Sequence, residues 1–151
     1  MPSTFSQIYI HIIFSVKDRN AMLHLSWENE LYMYISGIVR NKGQKMLAIN
    51  GMPDHVHILI GMKPSCCVSD LVREIKKASS EFTRQNKKST SKFQWQEGYG
   101  AFSCSHSTLK KVITYINNQK AHHKRRSFQE EYQALLDRYE VDYREDFLFE
   151  R

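Results

Sequence analysis

The sequence offers almost nothing for covalent stapling. Its 151 residues include three cysteines, Cys66, Cys67 and Cys104; the number is odd, two are adjacent, and no CxxC pair occurs. A disulfide framework and a thiolate zinc site are both disfavoured, which leaves reduced thiols of no special role. Long apolar runs are missing: none approaches the roughly 20 residues that a membrane helix needs. The opening stretch, MPSTFSQIYI, lacks the charged-then-apolar order of a secretory signal. The expectation is a cytoplasmic chain with no membrane partner. Internal repeats and long linkers are absent too, so residues 1–151 read as one domain, with 127–151 as an acidic tail. Acidic side chains are the minority: 16 Asp and Glu face 22 Lys and Arg, for a net charge of +6 and an isoelectric point near 9.2. That surplus favours an anionic partner, nucleic acid the commonest, although a merely soluble basic protein has the same balance.

What is present is an alternation of strand and helix patterns. QIYIHIIFSV (7–16) is β-branched and aromatic, which predicts a buried strand. Trp27, Leu31, Tyr34, Ile35 and Ile38 recur at helical spacing, with Ser26 as N-cap and NKG (41–43) as the stop. QKMLAIN (44–50) and HVHILIGM (55–62) read as two strands around a turn punctuated by Gly51, Pro53 and Asp54. A second helix opens at Ser69 or Asp70. Its inner stripe is Leu71, Val72, Ile75, Ser79 and Phe82, and Arg73, Lys76, Lys77 and Arg84 fall mostly outside it. QNKKSTSK (85–92) reads as an exposed basic loop. FQWQEGYGAFSCS (93–105) reads as short extended segments broken by Gly98 and Gly100. A third helix, capped by Ser105 or Ser107, runs to about Arg126. The stretch from Ser127 to Arg151 holds eight acidic residues and three arginines, and predicts a helix over 128–138 with an irregular end. This order gives an α+β fold: a ferredoxin-like β-α-β-β-α-β sheet with an added C-terminal helix, the third, that carries the candidate catalytic residues.

Two features carry chemistry. His55 and His57 stand one residue apart in an apolar strand, so they share a face, about 7 Å apart at their roots, and can converge on one divalent ion. Asp54 precedes them and can orient a ring from behind. The plain alternative is two partly exposed histidines satisfied by backbone or water. In the third helix, Leu109, Val112, Ile113 and Ile116 form the apolar stripe. Tyr115 and Gln119, at i and i+4, stack on its edge, with His122 one turn on. The amide can complete a metal site and the hydroxyl can be a nucleophile. Equally, Tyr115 can be a boundary residue and Gln119 a solvated one. Lys120, Lys124, Arg125 and Arg126 extend this helix as a basic run. Together with Arg73, Lys76, Lys77 and Arg84 they suit a phosphate-tracking groove, although a solvated face has the same look.

PDHVHILI, followed about 60 residues later by YINNQKAHH with WQEGYGAFSCS before it, resembles the single-tyrosine HUH transposases of the IS200/IS605 type. The resemblance runs from about residue 5 to residue 130. It implies His55 and His57 as metal ligands with Gln119 as the third, Mg²⁺ or Mn²⁺ as the ion, and Tyr115 as the nucleophile. It also implies a homodimer in which the tyrosine helix of one subunit completes the metal site of the other. The implied substrate is single-stranded DNA with hairpins at the element ends, cleaved and rejoined through a 5′-phosphotyrosine link. A free tyrosine has a pKa near 10, so its proton needs an acceptor: the metal, a water, His122 or Lys120. Domesticated REP-associated tyrosine transposases fit the same residues. Two further readings stay open, a non-catalytic nucleic-acid-binding module on a ferredoxin-like sheet and a metal-dependent phosphoester hydrolase in which water replaces tyrosine.

Overall fold

The computed structural model describes residues 3–17, 27–86, 93–122 and 127–144. Four strands form one antiparallel sheet in the order β2-β3-β1-β4. They are β1 (Tyr9–Ser15), β2 (Lys45–Met52), β3 (His55–Gly61) and β4 (Gly100–Cys104). With helices α1 (Glu28–Asn41) and α2 (Val68–Gln85) between them, this is the ferredoxin-like order expected above. Central strands β1 and β3 are buried on both faces, which is why they read as continuous apolar runs rather than alternating ones.

The strand period of two then decides everything about the site. Ile12 and Phe14 of β1 and Val56, Ile58 and Ile60 of β3 point to one face. There they pack on Leu31, Ile35 and Val39 of α1 and on Leu71, Val72 and Ile75 of α2. His11 and Ile13 of β1, and His55, His57 and Leu59 of β3, point to the other. This second face is covered by α3 (Leu109–Asn117), whose Ile116 packs on Ala48 and Leu59, and by α5 (Phe128–Arg138), whose Phe128 and Leu136 pack on Ile13 and Phe102. The acidic tail thus contributes a helix to the sheet; residues 145–151 lie outside the described chain.

Several boundaries differ from the expectation. Ser26 and most of the basic loop 85–92 lie outside the described residues, and Trp27 occupies the N-cap position of α1 without a side-chain cap. Helix α2 starts at Val68, one or two residues early, because Ser69 and Asp70 sit in its first turn, where the Asp70 carboxylate meets the positive helix end. Phe82 is only half buried. It stacks on Tyr34 at 4.4 Å and ties α2 to α1, while Ser80 and Thr83 take the buried positions. Gly100 begins β4 rather than breaking an extended segment, and Gly98 turns with φ +88°.

The third helix does not run through to Arg126. A short 3-10 turn (His106–Thr108) precedes α3, which ends at Asn117; α4 (Gln119–His122) follows after a turn at Asn118. The cause lies on β2. The Asn50 amide donates to the carbonyls of Ile116 (3.0 Å) and Asn117 (3.1 Å). These carbonyls would otherwise need the next turn of helix. Helix α5 opens with a serine N-cap: Ser127 Oγ accepts the Glu130 amide proton at 3.2 Å and donates to Glu130 Oε1 at 3.1 Å.

Candidate active site and metal centre

The β2–β3 hairpin places the two histidines. Its turn is two residues, Pro53 and Asp54, and β3 begins at His55. Gly51 opposes this start so closely that a Cβ there would lie 2.2 Å from the His55 carbonyl oxygen. The Asp54 carbonyl accepts the Val16 amide proton at 2.8 Å, which pins the turn to the end of β1. Both histidines are fully buried, with 0 % exposure, so the alternative of partly exposed, solvated rings does not hold.

The helices bring the remaining groups to the same point. The Nε2 of His57 lies 2.9 Å from Glu131 Oε1, and that of His55 lies 3.3 Å from the same oxygen. Gln119 Oε1 is 3.3 Å from His55 Nε2, and Gln119 Nε2 donates to Glu131 Oε2 at 3.2 Å. The Tyr115 hydroxyl donates to Glu131 Oε2. One buried carboxylate therefore touches both imidazoles through one oxygen and the phenol through the other. Phe128 stacks on His55 at 4.4 Å and closes that side. The far side of each imidazole is engaged as well: His55 Nδ1 lies 2.7 Å from Asp54 Oδ1, and His57 Nδ1 lies 2.8 Å from His11 Nε2.

These donors fit a divalent cation. Ligand atoms about 2.0–2.2 Å from an ion stand about 3.0–3.4 Å apart when adjacent, for octahedral and tetrahedral arrangements respectively. The Nε2-to-oxygen separations of 2.9, 3.3 and 3.3 Å lie in or within about 0.1 Å of that range. Two imidazoles, a carboxylate and an amide oxygen also form a donor set that suits Mn²⁺ better than Mg²⁺. His55, His57 and Glu131 form the cluster of potential ligands with the right proximity among the described residues. The charges agree with a cation site. Burial pulls the His55 imidazole down, but its hydrogen bonds to the Asp54 and Glu131 carboxylates, together with their charges, outweigh it, and its pKa is raised above 6.5. His11 is pushed down to about 3, by burial first and then by the neighbouring His57, against a weaker opposing pull from Glu131.

Lys120 does not serve the phenol. Its ammonium is bound to Glu28 (3.1 Å), to Asn50 Oδ1 (3.3 Å) and to the Gly51 carbonyl (2.6 Å), so it anchors α4 to α1 and β2. The side chain of His122 and residues Lys124, Arg125 and Arg126 lie outside the described residues. The resemblance implies that a partner's helix supplies the tyrosine; here the chain's own Tyr115 stands beside its own histidines, 5.8 Å from His57 between ring centroids.

Sequence reasoning missed Glu131 and His11. Each carried a signal. Glu131 is an acidic residue three positions after Phe128 and four before Leu135, on the apolar stripe of the expected helix. His11 is a histidine inside an apolar strand, the same oddity that singled out His55 and His57.

Arg73, Lys76, Lys77 and Arg84 of α2 line a groove of about 540 Å³ with Lys17, Trp95 and Tyr99. Part of this charge is engaged: Arg73 pairs with Asp70 at 3.1 Å, and Lys76 Nζ donates to the carbonyls of Gln96 (2.9 Å) and Gly98 (2.6 Å). The segment from Gln96 to Tyr99 also lines a smaller cleft that ends at Phe128 and Tyr132 of α5. The groove and this cleft thus share one wall, and Phe128 at the end of the cleft stacks on His55. Among the described residues, no helix is long and apolar enough to cross a membrane.

Known proteins share this fold. ISDra2 transposase TnpA of Deinococcus radiodurans is 26% identical over 118 residues, which is 75% of this chain and 84% of that protein. The crystal structure of a Deinococcus radiodurans R1 protein assigned as a transposase superposes with a TM-score of 0.62 at 24% identity, covering 79% of this chain and 95% of that one. The structure of a REP-associated tyrosine transposase bound to a REP hairpin gives a TM-score of 0.60 at 17% identity, covering 82% and 73%. Those two likenesses show the shared fold. The family model described as "Transposase IS200 like" matches residues 4–119, a span that takes in His55, His57, Tyr115 and Gln119 and stops short of Glu131. With that span matched, the chain belongs to the IS200-like transposase family.

Proposed function

We propose that this chain is a divalent-metal-dependent transposase that cleaves and rejoins single-stranded DNA through a 5′-phosphotyrosine link on Tyr115. The observation that carries the reading is the convergence of the Tyr115 phenol and both histidine Nε2 atoms on the Glu131 carboxylate. His55, His57 and Glu131, with Gln119, would hold Mg²⁺ or Mn²⁺. Bound there, the cation supplies positive charge to the scissile phosphate and offsets the charge that builds up in the transition state.

The chain's own groups do the rest. Tyr115 passes its proton to Glu131 Oε2, and its oxygen forms a bond to phosphorus while the bond to the 3′ oxygen breaks. The departing 3′ oxygen takes up a proton and leaves as a hydroxyl; Glu131, now protonated, is the nearest source. One phosphodiester replaces another, so rejoining runs the same steps backwards and needs no external energy. Asp54 orients His55 from behind, and Phe128 shields its face from water. The α2 groove supplies the cations that track the phosphate backbone, and the Gln96–Tyr99 segment leads it towards α5.

The proposed substrate is single-stranded DNA with hairpins at the element ends. The proposed assembly is a cytoplasmic homodimer of single-domain chains; the resemblance implies composite active sites, and within one chain Tyr115 already stands beside its own histidines. The test is a denaturing gel after incubation with single-stranded hairpin DNA and Mn²⁺. A covalent protein–DNA band that disappears in Tyr115→Phe is the expected result. Cleavage that survives Tyr115→Phe would replace this reading with a hydrolase, and binding without any cleavage would replace it with a non-catalytic module.

A further inference from the structure

We infer that His11 is a positioning residue for the metal centre: its Nε2 accepts the Nδ1 proton of His57 and so holds His57 in the one tautomer whose Nε2 lone pair faces Glu131, Tyr115 and His55. This rests on the reading of the cleft as a metal centre. It adds a role that neither the strand motif nor the tyrosine helix contains.

The sheet register creates the contact. Ile13 pairs with His57 and His11 pairs with Leu59, so His11 is the diagonal neighbour of His57 on the second face of the sheet. The two nitrogens are 2.8 Å apart, and the rings lie 5.0 Å apart at 30°. His11 is 2 % exposed. Phe102 and Tyr115 stand edge-on to it at 6.3 and 6.4 Å, which restricts rotation of its ring.

An imidazole binds a cation through one nitrogen only when its proton sits on the other, and the group that accepts that proton sets the aim of the lone pair. His55 has such a group in Asp54, a carboxylate at 43 % exposure. At the Nδ1 of His57 stands the His11 imidazole. An imidazole can accept through one ring nitrogen without bringing a charge to the site. That choice fits its surroundings. Glu131 is already buried in contact with His57, and a second buried anion behind the ring would have to be desolvated with only the same cation to offset it.

Two variants separate the role of acceptor from the role of aromatic filler. His11→Phe keeps a ring between Phe102 and Tyr115 but has no acceptor; His11→Gln loses the ring but returns an acceptor oxygen. The probe is Mn²⁺ alone, with bound and free ion measured by electron paramagnetic resonance on the full chain without DNA. His11→Phe should bind Mn²⁺ about 10- to 100-fold more weakly than the unaltered protein, and His11→Gln should recover most of that loss. A second measurement needs no variant. Long-range ¹⁵N–¹H spectra of the Zn²⁺-loaded protein should show His57 protonated at Nδ1 and metal-bound at Nε2. Unchanged Mn²⁺ affinity in His11→Phe, or a His57 protonated at Nε2 in the loaded protein, would overturn the inference while the metal centre stood. Failure of the unaltered protein to bind either ion would overturn both.

Discussion

Glu131→Gln is the sharpest test of the site, because the two oxygens of this carboxylate face different chemistry. Oε1 lies 2.9 Å from His57 Nε2 and 3.3 Å from His55 Nε2, where a cation would sit. Oε2 accepts from the Tyr115 hydroxyl and from Gln119 Nε2. The substitution keeps the volume and one acceptor oxygen and removes the charge. Two losses should appear, and they separate in a Mn²⁺ titration. Loss of a charged ligand should raise the half-saturating Mn²⁺ concentration, by an amount comparable to the 10- to 100-fold seen when a ligand's support is removed. Loss of the proton acceptor should lower the rate by about 10²- to 10⁴-fold, and adding more metal would not restore it. That residual deficit corresponds to about 2.7–5.5 kcal/mol of barrier. The assay is the single-turnover rate of covalent adduct formation on labelled single-stranded DNA across a Mn²⁺ series. Breaking a buried charged pair can itself cost about 3–5 kcal/mol of stability, so the variant's thermal melt belongs beside the kinetics. A folded Glu131→Gln that forms adduct at the unaltered rate under saturating Mn²⁺ would refute the assignment of Glu131 as proton acceptor.

The remaining predictions concern pH, subunit origin and the groove. In the metal-free chain, the raised pKa of His55 contributes stability that is complete below 6.5 and fades as pH rises through the folded value, whereas His11, lowered to about 3, contributes stability present above 6.5 and lost as pH falls towards 3. His11→Phe should therefore flatten the acid limb of urea-unfolding stability between pH 6.5 and 3, by at most about 1.4 kcal/mol per pH unit; equal slopes would contradict the burial argument. Mixing His57→Ala with Tyr115→Phe protomers separates the two arrangements: a site built within one chain, as Tyr115 and His57 stand here, leaves adduct formation lost, and recovery in mixed dimers would show that the helix crosses between subunits. Lys77→Ala with Arg84→Ala should flatten the dependence of log affinity for single-stranded DNA on log salt by about 0.7 for each phosphate contact removed; an unchanged slope, measured by fluorescence anisotropy, would take the DNA off the α2 groove.

The sheet and its crossover helices were legible because burial on both faces leaves a local trace. β1 and β3 are unbroken apolar runs, and α2 separates its apolar stripe from its basic outer side within one segment. His55 and His57 were legible for the same reason, as polar exceptions at a two-residue spacing. The end of α3 was not, because Asn50 sets it from β2, 66 positions away from Ile116 in the chain. Glu131 was hidden in another way. Its role depends on α5 lying across β1 and β4, and nothing within 128–138 encodes which face of the sheet that helix meets. His11 shows the opposite failure. The signal was local and visible, but its meaning came only with the register that sets it diagonal to His57.

The charge of the site explains why these two unforeseen residues belong together. Without a cation, the anions Asp54 and Glu131 flank an imidazole whose pKa is raised, so they favour a proton on His55 that would offset part of their charge. A divalent cation would exchange that proton for two positive charges, and with Asp54 and Glu131 ionised the centre becomes neutral before DNA arrives. The phosphodiester then adds one negative charge. In the proposed step the Tyr115 proton would move within the site rather than leave it, because the phenol already donates to Glu131. Had the group behind His57 been a carboxylate, the loaded centre would be anionic and would repel the phosphate it must hold. A neutral acceptor at position 11 avoids this, and burial under Phe102 and Tyr115 is what keeps it neutral.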